Sequence, residues 1–133
     1  MAILGRAIVV GGLVAALVVP AWAQDAPVPP AVIAKNLAEN VLGEGSVKRV
    51  QVARAGRYIE IDWEAALYRR TNTPVQNRDQ LKGEAQLATG SIMGVMRPDL
   101  IVFRIWVGPK TIAVGRRHRD GGFLITYAKE LGG

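Results

Sequence analysis

Between Arg57 and Trp63 apolar and polar residues alternate cleanly. Ile59, Ile61 and Trp63 fall on one side; Tyr58, Glu60, Asp62 and Glu64 fall on the other. A period of two marks a half-buried strand. Residues 47–54 precede it across Ala55-Gly56. A two-residue turn there sets Val52 against Ile59, Val50 against Ile61 and Arg49 against Asp62. Hydrophobic face, register and charge all agree on a β-hairpin. A second β region starts at residue 100, with Ile101, Phe103, Ile105 and Val107 on one face and Val102, Arg104 and Trp106 on the other. Gly108-Pro109 turns the chain, and residues 110–117 return. A two-residue turn sets Ile105 against Ile112 and Phe103 against Val114. Asp120-Gly121 reads as a type I′ turn, and residues 123–127 as the last strand.

Two segments have helical spacing. Pro30 suits a first helical turn, where its missing N–H costs nothing. Val32, Ile33, Asn36, Leu37, Asn40 and Val41 then mark a short helix over residues 31–42, with Gly43 as its stop signal. Residues 69–76 read as a loop containing Thr73-Pro74. Asn77 with Gln80 reads as a capping box, opening a long helix whose face is Leu81, Ala85, Ala88, Ile92, Val95 and Met96. It ends before Pro98. Gly90, Ser91 and Gly94 weaken this helix, and such small residues point to close packing against a sheet.

The element order is α-β-β-α-β-β-β. It predicts an α+β fold: an antiparallel sheet of about five strands with one long helix packed across it. The segment order ββαβββ resembles that of profilin-like and roadblock-like domains. The likeness is one of topology, carried by no motif, and implies nothing about function. Ferredoxin-like and cystatin-like sheets are the competing arrangements.

The N-terminus changes the picture of where the chain works. Residues 7–19 are all apolar or Gly, after a single cation at Arg6 and before Pro20 and Ala21-Trp22-Ala23. That is the order of a secretory signal peptide. The apolar run is shorter than the roughly 20 residues of a spanning helix. Residues 1–23 are therefore expected to be cleaved after Ala23, leaving no membrane-spanning segment and placing the chain in the periplasm. Residues 24–30 read as a Pro-rich extended leader, and residues 31–133 as one domain. Cleavage removes Arg6 and takes the formal charge from +6 to +5. The chain has no Cys. Disulfides, thiol catalysis, zinc–cysteine sites and iron–sulfur ligation are thereby excluded.

Signs of chemistry are sparse. The one histidine, His118, sits in Arg116-Arg117-His118-Arg119-Asp120 at a hairpin tip. No nucleophile is near it for activation, and Asp120 suits the turn backbone. Glu60, Asp62 and Glu64 are spaced by about 6.6–7 Å along a strand, too far apart to converge on a cation. Arg49 and Lys48 suggest instead a solvated ion-paired face. No phosphate-binding loop or nucleophile elbow is present. No catalytic residue, metal or cofactor is expected.

The cations are more suggestive. By the register above, Arg104, Trp106 and Arg117 share the face opposite the core, with Arg116, His118 and Arg119 at the nearby tip. Arg and Trp are residues that anchor interfaces. The expectation is a small exported non-enzymatic module that docks on an envelope protein or complex. The alternative is a periplasmic binder of a small or lipidic anionic ligand, such as a lipid head group or glycan, held in the cleft under the long helix. A hydrolase built on His118 is the weaker option. Export argues against nucleic acid as a partner.

Overall fold

The computed structural model describes residues 27–132; the signal-peptide reading of residues 1–23 and the first three residues of the Pro-rich leader lie outside them. The elements are α1 (Pro30–Leu42), β1 (Val47–Ala53), β2 (Tyr58–Glu64), α2 (Pro74–Met96), β3 (Leu100–Val107), β4 (Lys110–His118) and β5 (Phe123–Tyr127). Short 3₁₀ turns lie at Arg54–Gly56 and Lys129–Leu131. This is the expected α+β order. The strands form one sheet in the order β1-β2-β3-β4-β5. Three joins are antiparallel, and β2 to β3 is parallel. The sheet is therefore mixed rather than antiparallel throughout. α2 carries the chain back along the sheet before β3 begins, as a parallel join requires. Among the described residues, no helix is long and apolar enough to cross a membrane.

Both helices cover the same face of the sheet. Ala34, Ala38 and Leu42 of α1 and Leu81, Ala85, Ala88 and Ile92 of α2 share one core with Ile59, Ile61, Trp63, Ile101, Phe103 and Ile105. An aromatic row crosses this face. The rings of Trp63 and Phe103 stack at 5.5 Å, and those of Phe103 and Phe123 at 5.9 Å. Gly115 on β4 makes the second contact possible. A Cβ there would stand 2.3 Å from the Leu124 carbonyl oxygen and 2.5 Å from Phe103 Cζ.

The first hairpin has the expected register: Val52 faces Ile59, Val50 faces Ile61 and Arg49 faces Asp62. The β3–β4 hairpin does not. Val107 pairs with Lys110 and Trp106 with Thr111, as a two-residue turn dictates, but Ile105 then pairs with Ala113 and Phe103 with Gly115. Ile112 is the extra residue of a β-bulge. One added residue turns every following side chain to the other face. At the next turn only Gly121 has positive φ, 103°, so Asp120-Gly121 is not type I′. A three-residue loop closes it, with the His118 N–H donating to the Gly122 carbonyl at 2.8 Å.

Both helices also differ from expectation in detail. Val32 and Val41 of α1 are exposed, and Ala34 and Ala38 are buried. Small side chains let α1 approach α2 closely enough for Ser91 Oγ to donate to the Leu37 carbonyl at 3.3 Å. α2 starts three residues before Asn77. Thr73 caps it in a true capping box, exchanging hydrogen bonds with Gln76 at 2.8 and 3.1 Å, and Pro74 occupies the first turn. Val95 is exposed. Gly94 does not pack on the sheet, with nothing within 4 Å of where its Cβ would be, whereas a Cβ at Gly90 would stand 3.5 Å from Arg117 Nη1 of β4.

Candidate functional site

Among the described residues both helices lie on one side of the sheet and leave its other face open, and that face divides into two halves. The β1–β2–β3 half is ionic. Each β2 carboxylate is engaged. Glu60 pairs with Arg49 at 3.9 Å and accepts from Tyr58 Oη at 2.7 Å. Glu64 pairs with Lys48 at 3.7 Å and accepts from the Gly108 N–H at 2.9 Å. Asp62 lies between them, only 6 % exposed although on the open face. It accepts from Arg104 Nε at 3.3 Å and from Trp106 Nε1 at 3.2 Å. Lys48 Nζ sits 5.4 Å above the Trp106 ring, a favourable cation–π arrangement. The hydrogen bond to the Glu60 carboxylate, with help from burial and the carboxylate's charge, holds the Tyr58 phenol above its ordinary pKa. The solvated ion-paired face expected from the sequence is present. Among the described residues no group of three His, Cys, Asp or Glu side chains could hold a metal ion.

The β3–β4–β5 half is apolar. Val102, Val114, Gly115, Arg116, Leu124 and Thr126 line a shallow groove of about 220 Å³. Val114 is 40 % exposed and Leu124 51 %. Arg116 stands at this groove, exposed and with no acidic partner among the described residues. An apolar floor beside a cation that lacks a counter-charge can take up an apolar ridge carrying a carboxylate. Burying a Val or Leu side chain completely contributes about 1.5–3 kcal/mol, so two half-exposed ones offer roughly that much between them.

The six cationic and aromatic residues picked out by the sequence do not form one cluster. Arg104 and Trp106 lie on the open face and are tied to Asp62. Arg116 and His118 follow Val114 on the same face. Arg117 does not. The bulge at Ile112 sends it to the helix side, where Nη1 donates to the Gln86 carbonyl at 3.3 Å and to Thr89 Oγ1 at 3.4 Å. Arg119 is held at the hairpin end by Asp99, its Nη2 2.7 Å from Oδ1. Asp120 accepts the Gly122 N–H at 2.9 Å, the turn role expected of it.

Three groove residues, Val102, Val114 and Leu124, escaped the sequence reading. Val102 already shares the face of Arg104 and Trp106 in the β3 alternation, whereas Val114 joins that face only once the bulge is placed. Also missed was Glu84, a carboxylate in the buried stripe of α2 and 3 % exposed. It accepts from Trp63 Nε1 at 3.3 Å, from the Ala66 N–H at 3.1 Å and from the Leu67 N–H at 2.7 Å. Asn77 does the same work nearby, bonding both the N–H and the carbonyl of Arg69. Together they fasten the β2–α2 connection to the helix. Around them the contact of α2 with the sheet is closed to solvent, with Leu81, Ala85, Ala88 and Ile92 all fully buried.

A scan against models of protein families finds no match to this chain, and neither the search of curated proteins nor that of solved structures finds one.

Proposed function

We propose that this chain is an exported, non-enzymatic interaction module that docks on a protein of the cell envelope through the open face of its sheet. The observation that carries the proposal is the groove over β3–β4–β5: Val114 and Leu124 exposed on one floor, with Arg116, which has no acidic partner among the described residues, across from Leu124. The partner presents an apolar ridge with a carboxylate placed for Arg116. The ionic half of the face adds Trp106 and Arg104 at the margin. Their bonds to Asp62 hold them in fixed rotamers, which lowers the entropy lost on docking.

The test is affinity capture from envelope fractions of the producing cell, with the wild-type chain and two variants, Val114→Asp and Arg116→Glu. Both positions are exposed, so both variants should fold with unchanged circular dichroism. The expected result is one dominant envelope protein held by the wild type and reduced at least about tenfold in each variant, a loss of roughly 1.4 kcal/mol. Equal capture by all three would overturn this placement of the site.

A further inference from the structure

The two edges of the sheet are built differently. β1 is guarded in the usual ways. It carries Lys48 and Arg49, is bulged between Val47 and Arg49, and gives its first N–H to Glu39 of α1 at 3.1 Å. β5 has none of these protections. Its sequence is Phe123-Leu-Ile-Thr-Tyr127, with no charge, no Pro and an unbroken register against β4.

The backbone of β5 shows which groups are left over. The His118 N–H donates to the Gly122 carbonyl and the Ala128 N–H to the Ile112 carbonyl, both at 2.8 Å. Bonded residues alternate along an antiparallel strand, so residues 122, 124, 126 and 128 face β4. Phe123, Ile125 and Tyr127 turn their N–H and C=O groups outward, and among the described residues nothing bonds to them. These three positions are symmetric about Ile125.

We infer that β5 pairs with β5 of a second copy of this chain, antiparallel and centred on Ile125, to give a continuous ten-stranded sheet. Ile125 exchanges two hydrogen bonds with its own counterpart. Phe123 and the partner's Tyr127 exchange two more on each side, making six. This is an isologous contact, which closes at two copies. The side chains agree with it. Phe123 meets the partner's Tyr127 on the helix side, and Leu124 meets the partner's Thr126 on the open side. The strand ends carry opposite charges that have no ion-pair partner among the described residues, Asp120 before β5 and Lys129 after it. Lys129 opens the 3₁₀ turn just beyond the paired segment, so each charge stands at an end of the pairing, near the partner's opposite charge. The inference does not depend on docking through the groove, and it is read by mass rather than by capture.

Sedimentation of the protein purified from its producing cells, from about 5 to about 500 µM, tests it, because association rises with concentration by mass action. The expected result is a weight-average mass climbing from one chain toward two. Over the same range, hydrogen exchange at the Phe123, Ile125 and Tyr127 amides should slow at least about tenfold, while Leu124 and Thr126 stay protected throughout. Ile125→Pro removes an outward N–H that β4 does not use, a position where an edge strand tolerates Pro. It deletes two of the six bonds per dimer and should weaken association by about thirtyfold. A one-chain mass at every concentration overturns the inference. So does a dimer in which those three amides exchange freely, for its copies would meet elsewhere.

Discussion

Glu84 is the most consequential side chain that takes no part in the open face. Replacing it with Ala removes the acceptor for three donors at once. The Trp63 indole N–H is wholly buried and has no other partner; a stranded buried donor costs about 1–3 kcal/mol. The Ala66 and Leu67 N–H groups lie in a partly exposed connection. Water can replace the carboxylate there, so each costs only the net value of a hydrogen bond, about 1 kcal/mol. Glu84→Ala should therefore destabilise by about 3–5 kcal/mol, a large share of the 5–15 kcal/mol that holds a domain folded. Glu84→Gln keeps one acceptor oxygen for Trp63 and Ala66 but turns an NH₂ toward the Leu67 N–H, and should lose about half as much. Urea unfolding followed by circular dichroism measures both. Amide exchange over residues 65–72 should rise in the same order. An Ala variant within about 0.5 kcal/mol of wild type would refute the idea that this carboxylate fastens the connection; that is the range of surface substitutions.

The glycines of α2 and β4 should respond with opposite signs. Gly83→Ala and Gly94→Ala meet nothing within 4 Å and should each stabilise by up to about 1 kcal/mol through helix propensity, whereas Gly115→Ala drives a methyl into Phe103 and the Leu124 carbonyl and should cost about 3 kcal/mol; a loss at Gly83 or Gly94 in chemical unfolding would contradict this. At alkaline pH the raised Tyr58 phenol makes stability fall: the folded chain keeps that proton longer than the unfolded one, so the contribution is complete below pH 10.0 and is lost as pH rises through the folded value. Tyr58→Phe should flatten the decline in urea midpoint above about pH 10, and an unchanged slope would show that Glu60 does not hold the proton.

Much of the fold was legible because turn length and period two constrain each other. Ala55-Gly56 and the Ile59/Ile61/Trp63 face allow one register for the first hairpin, and that register is found. The second hairpin carries two adjacent apolar residues, Ile112 and Ala113, and either can face the core without breaking the pattern. The structure places the bulge there, and the choice decides which way Arg117 points. Thr73-Pro74 looked like loop punctuation, yet with Gln76 at the third position it is a complete helix start. Gly94 was misplaced, while Gly90 does approach Arg117 of the sheet, because Gly signals close approach without saying on which side. As for the site, Trp106 and Arg104 stood out by residue type. The groove itself depends on Val102, Val114 and Leu124, ordinary residues whose exposure follows only from both helices choosing the opposite face.

The most direct test of docking through the open face is a photo-crosslinking residue placed at Val114 in the producing cell, with the same residue at Leu87 on the helix side as the comparison. Leu87 is the more exposed of the two, 62 % against 40 %, so simple accessibility favours the wrong face. Docking predicts one dominant envelope protein crosslinked from Val114 and lost with Arg116→Glu, with no such product from Leu87. A product from Leu87 alone, or the same products from both positions, would contradict it.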